Sequence, residues 1–186
     1  MKDTRIEKGV KKYLLMFKQF SDTDFNPEGE FANRFVGFFK VRRGLAWRKQ
    51  FFQVFEDVYR GKTQADFSVV LMKLYKQTGR IEASFASKML HMLNPDLPIW
   101  DAIVLSKLKG VIPIKVLARK KDCSIDDLVQ NRTEIYNAIK RWYKTIDAER
   151  IAEQFDKNYP SLATELSQSK KIDFVLWGTK DSQFKV

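Results

Sequence analysis

Apolar residues recur at helical spacing along most of the chain. The first such stretch predicts a helix over residues 4–20, with apolar positions three or four apart at Ile6, Val10, Tyr13 and Phe17. The same spacing predicts further helices over residues 28–39, 45–60, 64–77, 81–93, 101–109, 125–145, 150–158 and 171–177. Gly and Pro are scarce, at 8 and 5 of 186 residues, which argues against a turn-rich β fold. The pattern therefore predicts an all-α protein, a bundle of eight or nine helices.

Two segments also allow a strand. Residues 111–116 are apolar and β-branched, although Pro113 and the lack of a partner strand favour an extended loop. Residues 171–177 fit either a helix or a strand, and the lack of other clear strands favours the helix.

Polar side chains and glycine mark several helix ends. Thr63 is the predicted N-cap of the helix over residues 64–77, with Asp66 three positions later as in a capping box. Gly79 is a suitable C-terminal stop for that helix. Ser124 is the predicted N-cap of the long helix after it.

The stretch from Ser84 to Asp101 is the strongest candidate for a functional centre. A helix is followed by a loop in which Pro95 and Pro98 fix the backbone and exclude helix, and Asp101 then opens a new apolar run. An aspartate in that position is an ordinary helix N-cap. A carboxylate held behind a rigid loop can also face a pocket, where it would stabilise a developing cation or activate water. Both interpretations of Asp101 stay open.

The charge of the chain points to a polyanionic partner. The formal net charge is +11 and the isoelectric point is near 9.7, which favours nucleic acid, with an acidic protein or an anionic membrane surface as alternatives. Five of the ten residues from Lys40 to Lys49 are basic, and Trp47 lies among them, a mixture that suits phosphate contact and base stacking. Trp47 also falls on the apolar stripe of the helix over residues 45–60, which favours burial.

Several kinds of chemistry lack the residues they need. The chain has one histidine, His91, and one cysteine, Cys123, so we expect no zinc site, no other metal or cofactor, and no intrachain disulfide. His91 lies within a predicted helix, where a packed residue is more common than a catalytic base. The charged N-terminus does not resemble a signal peptide, and no apolar run approaches the ~18–20 residues of a membrane span. We therefore expect no membrane partner and a cytoplasmic location.

Residues 79–105 resemble a degenerate version of the helix-hairpin-helix motif of DNA glycosylases. The residues that carry the resemblance are Ala86 and Leu90 in the helix, Pro95 and Pro98 in the loop, and Asp101 at the position of the catalytic aspartate. The sequence Arg80-Ile81-Glu82 stands where the family has its two hairpin glycines. Ser84 stands at the position of the lysine that bifunctional members use, and Lys88 lies one helical turn further on. The resemblance thus implies base excision that depends on Asp101, without Schiff-base chemistry.

A longer pattern resembles a group of uncharacterised bacterial proteins with a glycosylase-like core. The segments that carry it are residues 35–42, 97–101 and 171–177. The chain length predicts a single domain over residues 1–186, and the resemblance implies a helix-hairpin-helix-like element around residues 64–109. Within that domain, an N-terminal helical part over residues 1–61 would pack on a glycosylase-like core over residues 62–186.

The expected function is that of a DNA-glycosylase-like protein that binds nucleic acid, with DNA favoured over RNA. Asp101 is the predicted catalytic residue and Trp100 the predicted pocket residue. The predicted nucleic-acid contacts are basic side chains, namely Arg42, Arg43, Arg48, Arg80, Lys88, Lys107 and Lys109. The alternative is a non-catalytic interaction module that binds an acidic protein. A third interpretation is an unrelated all-α protein in which Asp101 only caps a helix.

Overall fold

The computed structural model describes residues 4–118 and 123–179. Within these ranges the chain forms nine α-helices, one short 3-10 helix and no β-strand, which confirms the predicted all-α fold. The chain forms two compact units, and the division falls between Glu82 and Ala83. The predicted N-terminal part ends earlier, at residue 61, and the single-domain organisation stays a prediction.

The first unit contains four helices that enclose an aromatic core. They are α1 at Thr4–Phe20, α2 at Glu30–Phe38, α3 at Leu45–Tyr59 and α4 at Phe67–Thr78. Helix α1 packs on α2, and α3 packs on α4. The core is a cluster of phenylalanine rings in mutual contact, formed by Phe20, Phe25, Phe31, Phe35, Phe51, Phe52 and Phe55. Tilted and edge-on contacts of this kind add about 0.5–1.5 kcal/mol per pair to the burial of the rings.

The cap of α4 differs from the prediction. Asp66, not Thr63, caps the helix, because Asp66 Oδ1 accepts hydrogen bonds from the N–H groups of Ser68 at 2.8 Å and Val69 at 3.2 Å. The Thr63 hydroxyl instead accepts a hydrogen bond from Lys73 Nζ at 2.6 Å. The helix accordingly begins three residues later than predicted. It ends at Gly79 as predicted, where φ is 69°, a conformation that glycine adopts without strain.

The second unit contains five α-helices and the 3-10 helix. They are α5 at Ala83–Leu93, α6 at Ala102–Lys107, α7 at Ile125–Trp142, α8 at Ile146–Asn158, the 3-10 helix at Pro160–Leu162, and α9 at Gln168–Gly178. Helix α9 packs against α8 and α6. The helical alternative for residues 171–177 is confirmed, and α9 extends beyond both ends of that segment.

The start of α7 agrees with the prediction. Ser124 Oγ accepts a hydrogen bond from Asp127 N–H at 3.0 Å, and Asp127 Oδ2 accepts one from Ser124 N–H at 3.0 Å, so the two residues form a capping box. Residues 111–116, earlier in the chain, form no strand. Asn131 of α7 anchors the end of this segment, since its side chain accepts from Leu117 N–H at 3.0 Å and donates to Lys115 O at 2.9 Å.

The predicted helix-hairpin-helix element involves both units. Its first helix, α4, belongs to the first unit and its second helix, α5, belongs to the second. The element as such stays a prediction. Among the helices of the described ranges, none has the length and apolar character needed to cross a membrane.

The capping contact of α4 gives a stability prediction. Replacing Asp66 with Ala should lower the free energy of unfolding by about 1 kcal/mol, because the first amide groups of α4 lose their acceptor. Asp66→Asn should retain most of that stability, since an amide oxygen also caps a helix. Urea denaturation followed by circular dichroism measures both. Equal denaturation midpoints for wild type and Asp66→Ala would contradict the assigned cap.

Candidate functional site

The loop between α5 and α6 has four successive carbonyl oxygens that each accept a hydrogen bond from a side chain. The bonds run from Ser167 Oγ to Pro95 O at 2.6 Å, Ser169 Oγ to Asp96 O at 2.7 Å, His91 Nδ1 to Leu97 O at 2.6 Å, and Tyr136 Oη to Pro98 O at 3.1 Å. Leaving a buried carbonyl without a partner costs about 1–3 kcal/mol. These four bonds therefore fix the path of the chain into Asp101.

The last residue of the loop is held by α5. Trp100 N–H donates to Ser87 Oγ at 2.9 Å, and the Ser87 hydroxyl lies 3.5 Å from Trp100 O. The Trp100 side chain is 6% exposed. Its burial follows from the large apolar area that an indole removes from water. The role of Trp100 as a pocket residue stays a prediction.

Asp101 has a hydrogen-bond donor at each carboxylate oxygen. Oδ1 accepts from Val104 N–H at 2.8 Å, which confirms that Asp101 is the N-cap of α6. Oδ2 accepts from the indole Nε1–H of Trp177, at the far end of α9, at 3.1 Å. The Asp101 side chain is half-buried. The cap interpretation is thus a fact of the structure, and the second donor is a contact that helix capping does not require.

Helix α9, which carries Trp177, also carries a buried ion pair. Lys170 Nζ is 3.6 Å from Asp173 Oδ2, and both side chains are buried. The Tyr143 hydroxyl, just after α7, donates to Asp173 Oδ1 at 2.6 Å. Lys170 Nζ also lies 5.0 Å from the centre of the Phe174 ring. The described part of the second unit thus contains an ammonium, a carboxylate and a phenol that are largely removed from water.

Burial dominates the pKa values in this group. It raises the pKa of Asp173 to about 6, although the Lys170 ammonium and the Tyr143 hydroxyl oppose the rise. Burial also raises the pKa of Tyr143, and the Asp173 and Asp101 carboxylates add to that rise. It lowers the pKa of Lys170, against the attraction of Asp173 and Asp101. The Asp101 carboxylate therefore lies close enough to influence the charges of all three groups.

His91 has a structural position rather than that of an exposed base. Burial, with a contribution from the Lys170 ammonium, lowers its pKa to about 3, so the ring is neutral at neutral pH. Its Nδ1 lies 2.6 Å from Leu97 O, which can only accept. The proton of the neutral ring is therefore assigned to Nδ1. The expectation that His91 is a packed helix residue agrees with this geometry.

The predicted basic contacts of the second unit divide into buried and exposed side chains. Lys88 and Lys107 are 7% and 6% exposed. Lys88 Nζ donates to Ser84 Oγ at 2.8 Å. Both side chains are largely buried, and their role as nucleic-acid contacts stays a prediction. Lys109 is exposed and keeps that role as a prediction.

The predicted contacts of the first unit are more accessible. Arg42 and Arg80 are exposed, and Arg43 and Arg48 are half-buried. Arg43 forms an ion pair with Glu82 at 3.1 Å. Arg48 Nη2 lies 3.4 Å from Asn33 Oδ1. All four stay predicted nucleic-acid contacts, and the ion pair of Arg43 leaves Arg42 with the greater freedom to reach a phosphate.

Metal and thiol chemistry find no support in the described residues. No group of three or more His, Cys, Asp or Glu side chains in residues 4–118 and 123–179 is placed to hold a metal ion. Cys123 is half-exposed, and its thiol lies 3.8 Å from Ser124 O. The basic turn that precedes it, residues 119–122, lies outside the described ranges.

Comparison with known proteins returns no match. No family model, no curated protein and no solved structure matches the chain. The glycosylase resemblance of residues 79–105 therefore stays a prediction.

Sequence patterns alone do not single out the residues of α9 that surround Asp101. Lys170, Asp173 and Trp177 are spaced three and four positions apart, which places them on one helix face. That spacing is visible in the sequence, but charged residues at such positions usually mark a solvated face. Their burial depends on contacts with residues far away along the chain.

Opposite pKa shifts of two buried groups give a prediction for stability against pH. The folded-state pKa of Asp173 is about 6 against 3.8 for an ordinary aspartate, so lowering the pH through that range favours the folded state. The folded-state pKa of His91 is about 3 against 6.5, so lowering the pH below 6.5 favours the unfolded state. Each group contributes about 1.4 kcal/mol per pH unit where only one state binds the proton. Between pH 6 and pH 4 the two contributions nearly cancel.

Asp173→Asn should remove one of these opposing terms. The unfolding free energy of this variant should fall more steeply than that of wild type from pH 6 to pH 4, by about 1.4 kcal/mol per unit. The double variant with His91→Gln should run parallel to wild type. Denaturant titrations at several pH values measure the slopes, which do not depend on the fixed loss of stability in each variant. Parallel slopes for wild type and Asp173→Asn would contradict the raised pKa of Asp173.

Proposed function

We propose that the chain binds nucleic acid through the basic stretch from Lys40 to Lys49 of the first unit. The observation that carries the proposal is a local excess of positive charge. Five of these ten residues are Lys or Arg, and no Asp or Glu occurs from residue 31 to residue 55. Lys40, Arg42 and Lys49 are exposed. A local excess of exposed positive charge of this kind attracts a phosphate backbone and releases its counterions.

The start of α3 supports anion binding in the same stretch. Gly44 is the N-cap of α3 and supplies no side-chain acceptor to the first amide groups of the helix. Those N–H groups and the positive end of the helix dipole favour a negatively charged ligand. Arg43 and Arg48 lie on either side of this helix start in the sequence. Phosphate contact is thus favoured by side-chain charge and by backbone donors together.

Trp47 packs against other side chains of this stretch and of α3, which does not suit stacking on a base. Its ring is stacked on Phe51 with centroids 5.0 Å apart and an angle of 10°, and it is half-buried. The Arg43 guanidinium lies 5.9 Å from the centre of the Trp47 ring. The indole thus helps to orient an arginine at the surface. Of the two open interpretations of Trp47, the geometry favours packing.

Neutralising exposed cations of the stretch should weaken binding to DNA. In the double variant Arg42→Gln, Lys49→Gln we expect the slope of log K against log salt to fall by about 2, because roughly 0.9 counterion is released per phosphate contact. A matched control removes the same charge at two exposed lysines elsewhere in the first unit, Lys18→Gln with Lys76→Gln. Fluorescence anisotropy of a labelled duplex between about 50 and 200 mM salt gives the slopes.

Three outcomes would contradict the proposal. Wild type that binds no duplex or single strand at the lowest salt would exclude nucleic-acid binding. Equal losses in both double variants would show that total charge, not this stretch, governs binding. Tighter binding of an acidic polypeptide than of DNA would favour the alternative function, an interaction module for an acidic protein.

A second proposal concerns base excision at Asp101. Its carboxylate is half-exposed and oriented by two donors, one more than a helix cap needs. In the proposed reaction the bond between the sugar C1′ and the base breaks, and the electron pair leaves with the base. The Asp101 carboxylate stabilises the cationic sugar and accepts a proton from the water that adds to C1′, and that proton then passes to the departed base. Ser84 carries no amine for a Schiff base, so the products are the free base and an abasic site.

Asp101→Asn separates this reaction from helix capping. The amide oxygen can still accept from Val104 N–H, so stability should change by less than about 1 kcal/mol, while the charge needed at C1′ is lost. We expect base release to disappear in this variant. The substrates are duplexes that each carry one uracil, alkylated purine or oxidised purine, and alkali cleavage at the abasic site is the readout. Wild type that releases none of these bases would leave Asp101 as a helix cap only.

A further inference from the structure

One face of α9 carries a hydrogen-bond partner of Asp101 and a buried ion pair. Trp177, at the end of that face, donates its indole N–H to Asp101 Oδ2 at 3.1 Å. Asp173 and Lys170, one turn and two turns earlier, form the buried pair that feels the charge of Asp101. We propose that Trp177 is a positioning residue that orients the Asp101 carboxylate, and that the buried pair of Lys170 and Asp173 on the same face of α9 is coupled to this contact. The functional meaning of this inference rests on the proposed role of Asp101 in base excision.

Orientation comes from two donors on different helices. Val104 N–H of α6 holds Oδ1 at 2.8 Å, and Trp177 of α9 holds Oδ2. Rotation of the carboxylate about its terminal bond would break both hydrogen bonds. The indole is 52% exposed, so burial does not account for its orientation. The contact with Asp101 thus fixes the plane of the carboxylate and the position of the indole together.

The buried pair is poorly explained as a source of stability. Taking an ammonium and a carboxylate out of water carries a desolvation penalty that their attraction often fails to offset, and well-packed apolar residues would serve as well. Lys170 and Asp173 are 4% and 6% exposed, and Nζ and Oδ2 stand 3.6 Å apart, beyond ordinary hydrogen-bond length. The pair does supply a strong local field beside Asp101. Charge buried at this depth is screened less by solvent and salt than surface charge.

Asp173 is the group through which pH acts. With its pKa raised to about 6, its charge changes between roughly pH 5 and pH 7. The charged and titratable groups that face this region come from every helix packed around it. They are Lys170 on α9, Tyr136 and Tyr143 on and after α7, His91 on α5, Asp101 at the start of α6, and the Lys171–Asp156 pair between α9 and α8.

These charges determine whether lowering the pH strengthens or weakens the contact between Asp101 and Trp177. Above pH 6 the Lys170 ammonium is attracted by two carboxylates, Asp173 and Asp101. Below pH 6 Asp173 is neutral, so the ammonium acts on Asp101 alone and the repulsion between the two carboxylates disappears. Asp101 should then be held more firmly as a charged acceptor for Trp177. The indole N–H of Trp177 should sense this change.

The test is an NMR titration of the full chain from pH 4 to pH 8. The protein has four tryptophans, so its indole N–H region contains few signals, and the signal lost in Trp177→Phe identifies Trp177. In wild type we expect the Trp177 signal to shift with an inflection near pH 6, together with the side-chain carboxyl carbon of Asp173. Lys170→Met should move both inflections to higher pH, because the ammonium no longer favours the charged carboxylate.

Lys171→Met is the matched control. It removes the same charge at the adjacent position of α9, where Lys171 pairs with Asp156 of α8 at 2.7 Å, and it should leave the inflection near pH 6. An Asp173 carboxyl that titrates in wild type while the Trp177 signal stays flat would overturn the proposal. This comparison uses the titration of wild type, so it does not depend on whether a variant at Lys170 or Asp173 folds. Equal shifts of the inflection in both lysine variants would also overturn it, since total charge would then explain them.

Activity provides a separate readout. If wild type releases bases, Trp177→Phe should lower kcat by on the order of 100-fold with KM little changed, because a misplaced carboxylate impairs the chemical step and not DNA binding. A change of similar size in KM, with kcat unchanged, would contradict the positioning role. If wild type releases no base, the proposed reaction fails, while the NMR titration still decides whether α9 and Asp101 are coupled.

Discussion

The arrangement of the second unit depends on how the loop between α5 and α6 satisfies its carbonyl oxygens. An irregular segment between helices has no backbone partners of its own, and buried carbonyls need them. Here side chains from α5, α7 and the start of α9 supply the donors, one for each carbonyl from Pro95 to Pro98. The two prolines restrict the loop backbone, and the four donors select one path within that restriction. Asp101 and the start of α6 take their positions from this path.

Much of the fold follows from local sequence. Helix α1 agrees with its predicted bounds because its apolar spacing is regular, and the caps Ser124 and Asp101 agree because capping involves residues only three positions apart. The cap of α4 was predicted at the wrong residue. Thr63 and Asp66 are both residue types that suit an N-cap. In the structure the Thr63 hydroxyl accepts a hydrogen bond from Lys73, and Asp66 caps the helix. A local pattern does not reveal that competition.

Of the candidate site, the sequence predicts Asp101 but not the residues of α9 that interact with it. The pattern around Asp101 is local, but its partners on α9 lie far along the chain, with the Asp101–Trp177 contact spanning 76 residues. Lysine and aspartate side chains are also mostly exposed in proteins, so a sequence gives little reason to expect them in the interior. For this reason the sequence predicts surface contacts at Lys88 and Lys107 and gives no sign of a role for Lys170 and Asp173. Burial of a charge is decided by its distant partners, which a single sequence does not show.

The hydroxyl groups of Ser167 and Ser169 have a consequence for the order of folding. They reach back across 72 and 73 residues to Pro95 and Asp96. Bringing together segments so far apart costs chain entropy before the contacts can form. Without Ser167 and Ser169 in place, the carbonyls of Pro95 and Asp96 lack the donors that the folded chain supplies. The path of the loop into Asp101 is therefore complete only once the start of α9 has packed against it.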